Sequence, residues 1–253
     1  MPSFYKSMQM RRKAYNKQGG GWLITMASFK TIYKREATEG IARLKPVPDL
    51  TEKDIASLPD PVQQYLRYTG ALGKPQVQNL HAVLSGKFKL QENGRLLNIH
   101  AEQYNFYDQP SRLFYISSPL FGIPFAGLHM YAGSVATMQI KLASLIPVVN
   151  AYGEIMTKGE TVTLFNDMCV LAPATLIAQS IQWETIDPLT VKATFTNQGY
   201  TISALLSFNQ TGELINFVSD DRYQQVKGNT FDNFRWSTPA LATWDIRSNI
   251  CAL

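Results

Sequence analysis

The chain has 253 residues, a formal charge of +5, 45% AVILMFWYC residues and only 17% charged residues. That balance excludes a disordered chain, a collagen and a coiled coil, and two cysteines, Cys169 and Cys251, exclude a disulfide scaffold. The length suits one large domain or two small ones, with enough chain to build a core.

The charge is uneven. Residues 1–45 hold ten basic and two acidic residues, a balance of +8, while the other 208 hold 14 and 17, a balance of −3. A basic arm of this kind fits a solvated terminus or the anionic face of a membrane. Nucleic acid is the weaker partner, because the body adds no basic patch with interleaved aromatics. The apolar piece Trp22–Phe29 lies in an uncharged stretch of 12 residues between Lys17 and Lys30, short of the roughly 20 that a span needs. No small-residue cleavage site follows it. Neither a cleaved signal nor a transmembrane helix is read, so the protein is expected in the cytoplasm or peripheral at a membrane. An interfacial helix from Trp22 to about Leu44 is compatible with the pattern.

Lys45-Pro46-Val47-Pro48 is a stiff boundary between this arm (1–45) and a body (46–239). Thr51-Glu52-Lys53-Asp54 reads as a helix start, and Asp60-Pro61 as a second one. Val62, Tyr65 and Leu66 share a face of that second helix, which Gly70 and Gly73 end. From Val77 the period becomes two. Strands are predicted over Val77–Leu90 and Leu96–Tyr107, joined by the Asn93-Gly94 turn, and over Arg112–Ser118. Pro119–Gly127 reads as an apolar loop. Leu128–Tyr131 and Ser134–Leu145 read as strands, and Pro147–Gly153 as a turn. A helix opens at Lys158-Gly159-Glu160 and places Val162, Phe165 and Cys169 on one face, with Cys169 a buried structural thiol. Four more strands follow, Ile181–Ile186, Thr190–Thr196, Tyr200–Phe208 and Leu214–Ser219. Tight turns between them require antiparallel pairing. The expected fold is therefore α+β: a curved, half-barrel-like antiparallel sheet of about nine strands, with one or two helices packed on it.

Several motifs occur in a distinctive order. They are Leu58-Pro59-Asp60-Pro61-Val62-Gln63-Gln64-Tyr65-Leu66-Arg67-Tyr68-Thr69-Gly70, then Ala101-Glu102-Gln103-Tyr104, then Pro147-Val148-Val149-Asn150-Ala151-Tyr152-Gly153. Gly159-Glu160, Pro173-Ala174-Thr175-Leu176, Trp183-Glu184-Thr185-Ile186-Asp187 and Asp221-Arg222-Tyr223 follow. Over roughly 51–238 the chain resembles a bacterial family catalogued only as a domain of unknown function, which implies no established activity. The order of elements is also similar in architecture to lipoprotein-carrier half-barrel proteins. Thr161–Asp167 departs from the family's helix pattern. Ala240–Leu253 looks unrelated to it and reads as a truncated or frameshifted tail.

Little chemistry is spelled out. His81, His100 and His129 have no metal-ligand spacing, so no metal is expected, and no phosphate-binding or nucleophile motif implies a cofactor. Glu102 alternates with Gln103 and Tyr104, so one of these must face inward. An inward Glu102 could act as an acid or base with Tyr104 and Arg222. The competing reading is a structural polar cluster of Glu102, Asp221, Arg222 and Tyr223, with a buried Glu102–Arg222 pair. Phe114, Phe121, Phe125, Met130, Met138, Trp183, Phe195 and Phe208 are candidates to line an apolar pocket; singly, each also fits ordinary core. The leading expectation is a module that binds a lipid or other apolar molecule in the concavity of its sheet, near a membrane. An enzyme using Glu102, and a scaffold without a ligand, are the alternatives.

Overall fold

A computed structural model describes residues 28–89, 96–120, 123–143, 146–227 and 230–239. The first element is helix α1 (Phe29–Ile41), whose cap Ser28 accepts from Thr31 N–H. A short turn of helix, α2 (Glu52–Ile55), follows a box in which Asp54 accepts from the Thr51 backbone. Helix α3 (Asp60–Tyr68) has Pro61 in its first turn and buries Val62, Tyr65 and Leu66. The chain leaves α3 through Gly70, which takes the left-handed φ of 65° that the glycine permits.

Six strands come next: β1 (Asn79–Lys89), β2 (Leu96–Phe106), β3 (Ser111–Leu120), β4 (Ile123–Ala132), β5 (Val135–Leu142) and β6 (Ile146–Tyr152). They form one antiparallel meander in sequence order. Helix α4 (Glu154–Leu171) and a 3-10 turn (Pro173–Ile177) carry the chain to a second sheet. That sheet holds β7 (Ile181–Asp187), β8 (Thr190–Asn197), β9 (Tyr200–Phe208), β10 (Leu214–Lys227) and β11 (Thr230–Pro239), again in sequence order.

The α+β class stands, but the expected single curved sheet of about nine strands is two sheets of six and five strands, with no closed barrel among the described residues. Pro119–Gly127 is mostly strand, paired from Ser117↔Ala126 to Leu120↔Ile123. Pro147–Tyr152 is strand as well, and pairs with β5 across a register shift after Ile140. A bulge of this kind hides a strand's period from its sequence.

Helix α4 is buried nearly all round, as a helix between layers must be. Phe165 stacks on Phe195 of β8 at 5.0 Å and meets Phe217 of β10 edge-on. Tyr65 of α3 donates its hydroxyl to the Cys169 carbonyl at 2.7 Å, and Cys169 itself is fully buried. On its other side α4 meets the six-stranded sheet through Thr157, which accepts from Ala136 N–H, and through Thr161, which shares a hydrogen bond with Tyr131.

The outer face of the six-stranded sheet is covered by α1. Phe29, Tyr33 and Ala37 pack there with Phe106, Leu113, Tyr115 and Leu128. Tyr33 sits between Tyr104 and Tyr115, with ring centroids at 6.1 and 5.9 Å. A Cβ on Gly40 would fall 2.2 Å from the Phe106 ring, so only glycine lets the helix lie this close. Residues 28–45 of the basic segment thus belong to the packed body, and the apolar face proposed for an interfacial helix is spent on the sheet. Residues 1–27, and the tail 240–253, lie outside the described residues. No helix among the described residues is long and apolar enough to cross a membrane.

Candidate functional site: a buried ionic cluster against a graded sheet face

Alternation decides which side chains of the six-stranded sheet meet α4. In β2 it is Ala101, Gln103 and Asn105 that turn inward, all at most 2% exposed. Glu102 and Tyr104 turn outward, towards α1. Three cross-strand rows then define the inner face. The row under α4 is Leu80–Asn105–Arg112–Tyr131–Ala136. The next is Ala82–Gln103–Phe114–His129–Met138–Ala151, and the third is Leu84–Ala101–Ile116–Gly127–Ile140–Val149. The face passes from polar through mixed to apolar along the strands.

Two acids of α4 lie over the polar end. Glu160 and Asp167 are two helical turns apart, so they share one face of the helix. Asp167 accepts from Arg112 Nε at 2.9 Å, Gln103 Nε2 at 2.8 Å and Asn105 Nδ2 at 3.1 Å. Arg112 also donates to Gln103 Oε1 at 3.0 Å, approaches Glu160 at 3.6 Å, and lies over the Phe114 ring. Glu160 is the deepest charge, with a side chain 1% exposed. Its Oε1 accepts from Arg222 Nη1 of β10 at 3.1 Å. Its Oε2 stands 3.2 Å from His129 Nε2, yet both of these buried atoms lack a well-aligned hydrogen-bond partner.

The electrostatics follow from this geometry. Burial pushes His129 down to about 4, with Arg112 and Arg222 adding to it and Glu160 opposing. His129 is therefore neutral near pH 7. Burial would raise Glu160, but His129, Arg112 and Arg222 outweigh it and hold the carboxyl below its ordinary value. With His129 neutral, the two guanidiniums keep Glu160 ionised, and two acids balance two arginines. An isolated carboxylate at this depth would not stay charged.

Gly159 makes the second arginine contact possible. A Cβ there would stand 2.8 Å from Arg222 Nη1. The neighbouring residues complete the contact between α4 and β10: Lys158 pairs with Asp221 at 2.7 Å and lies over the Tyr223 ring, and Arg222 lies over Trp236. Asp221 would be raised by its burial, but the Lys158 and Ser203 hydrogen bonds bring it below its usual value.

The expected site residues are only partly brought together. Asp221, Arg222 and Tyr223 do gather, on α4. Glu102 does not join them: its partners are Lys30 of α1 and His100, each at 3.9 Å, whereas Arg222 pairs with Glu160. The reason is parity, since Gln103, not Glu102, takes the inward position on β2. Glu102, Tyr104 and Arg222 therefore do not form one catalytic group. Of the apolar set, Phe114, Phe125 and Met138 share the inner face. Met130 faces α1. Trp183, Phe195 and Phe208 belong to the core of the five-stranded sheet, and Phe121 lies outside the described residues. Sequence reasoning missed Gln103, Asn105, Arg112, His129, Glu160 and Asp167 as a group. The available signal was a pair of acids at i and i+7, which share one helix face, alongside Val162, Phe165 and Cys169. Among the described residues no group of three or more His, Cys, Asp or Glu could hold a metal.

Fold and site thus define an α+β protein of two antiparallel sheets held on a central charged helix. The chain belongs to DUF6544, a family of unknown function, whose profile matches residues 48–250. The match begins before the motif-bearing span of 51–238 and runs through residues 240–250, so the tail expected to be unrelated to the family lies largely inside the match. No curated protein matches the chain.

Proposed function

We propose that the protein binds an amphiphilic, lipid-like molecule along the inner face of the six-stranded sheet. Its apolar part would follow Ala101, Ile116, Ile140 and Val149, and its polar end would point towards His129 and Glu160. The observation that supports this reading is the gradient of the three rows, which α4 covers at the polar end while Phe114, Ile116, Met138 and Val149 stay only partly buried. Apolar surface left partly open beside unpaired buried polar atoms is the usual make-up of a small-molecule site. Because the arginines are already matched by Glu160 and Asp167, the polar end best suits a neutral hydroxyl or amide that donates to Glu160 Oε2.

Native mass spectrometry after mild purification tests the proposal. The expected result is a retained lipid-sized adduct, weakened in Met138→Trp at unchanged melting temperature. Repeated preparations with no adduct, and no thermal shift with monoolein, would overturn it.

A further inference from the structure

The meander brings three hairpins to one end of the six-stranded sheet. The last pairs there are Lys89↔Leu96, Leu120↔Ile123 and Leu142↔Ile146. Helix α1 also starts at this end, where Lys141 Nζ lies 4.7 Å over the Phe29 ring. The opposite end is turned by Tyr107–Pro110 and Gly133-Ser134, with Asp108 and Gln109 exposed.

The hairpin end exposes large apolar side chains, Leu96 at 53%, Ile146 at 61% and Val148 at 55%, and the opposite end also exposes one, Tyr152 at 63%. Charge is what sets the hairpin end apart. The described strand ends 84–89, 96–99, 117–120, 123–126, 140–143 and 146–149 contain Lys87, Lys89 and Lys141 and not one Asp or Glu. Exposed apolar groups ringed by one sign of charge match the depth profile of a lipid surface, where aliphatic tips enter the headgroup layer and lysines meet anionic phosphates.

We propose that the three-hairpin end of the six-stranded sheet, rimmed by Leu96, Ile146 and Val148, docks on the surface of an anionic lipid bilayer. The bilayer is favoured over a second copy of the chain, because two such ends would bring like charges face to face. The inference does not depend on a bound amphiphile, since the docking surface is the outer rim and not the inner face.

Flotation of the full chain with phosphatidylcholine vesicles, with and without phosphatidylglycerol, tests it. Binding is expected only with the anionic lipid, and it should weaken in high salt. The double variant Ile146→Glu/Val148→Glu should lower the bound fraction at least about tenfold, with the far-UV spectrum and melting temperature unchanged. Leu205→Glu, at an exposed position of the other sheet, should leave binding intact. Four outcomes would overturn the proposal: no flotation, equal flotation with neutral vesicles, flotation indifferent to the double variant, or a dimer that the double variant dissociates without any vesicle binding. A negative mass-spectrometry result on bound lipid would leave this test unaffected.

Discussion

Each face of the six-stranded sheet carries a helix, and the two helices are held in opposite ways. Outside, α1 lays Phe29, Tyr33 and Ala37 on an aromatic and aliphatic floor, and its ionic contact to the strands, Lys30–Glu102, is loose at 3.9 Å with Lys30 half open to solvent. Inside, α4 lays Glu160 and Asp167 on Arg112, Gln103 and Asn105, with hydrogen bonds of 2.8–3.1 Å and almost no solvent. The same period-two backbone supplies both surfaces. A charge one residue along the strand, Glu102 in place of Gln103, belongs to a different physical regime.

The comparison breaks most sharply at Glu160. Glu160→Gln would leave Arg222 and Arg112 buried with one anion between them, and should cost about 3–5 kcal/mol in urea unfolding, the range for removing one partner of a buried pair. An unchanged midpoint would mean that the cluster is hydrated and the two faces are alike.

A smaller effect is expected from pH. His129 titrates at about 4 in the fold and near its ordinary 6.5 when unfolded, so the unfolded chain binds the extra proton between these values. Stability is then full above about 6.5 and falls as pH drops from there towards 4. Glu160, held below its ordinary value, gives a loss of the same sign at lower pH. Melting curves of His129→Asn should be flatter than wild type across the upper part of that window, and equal slopes would remove His129 as the cause.

The smallest effect is expected outside. Glu102→Gln should change the unfolding free energy by less than about 1 kcal/mol, as for other partly exposed pairs. A loss as large as that at Glu160 would show that the outer face also relies on a buried charge.

Much of this architecture can be read from the residues. The antiparallel pairing of β1 with β2, the helix stop at Gly70 and the strands of the second sheet up to Ser219 follow from local turn chemistry and alternation. Three features resist that reading, each for a physical reason. Strand β6 contains Pro147 and a register shift, so it reads as a turn. Strand β11 mixes Asp232, Asn233, Phe234 and Arg235 without a clean alternation. Helix α4 begins at Glu154, yet Gly159 and the β-branched Thr157 and Thr161 are poor helix formers, which moves the apparent start to Lys158. That displacement conceals the site: Glu160 looks like part of a helix opening, where an acid is ordinary, when it lies well inside a buried helix, where an acid demands partners. Gly159 bears on both: its low helix propensity blurs the start in the sequence, and its missing side chain leaves room for the Arg222 guanidinium beside the helix.

One consequence concerns divisibility. The chain is linear in its topology, six strands, a helix, then five strands, and such an order suggests two modules that could be cut apart. Glu160 forbids it, because its carboxylate is matched by Arg112 from the first sheet and by Arg222 from the second. A cut between β6 and α4 would strand Arg112 without either acid. A cut between α4 and β7 would strand Arg222. The two sheets therefore share one ionic core, and either fragment would keep a buried arginine without its acid.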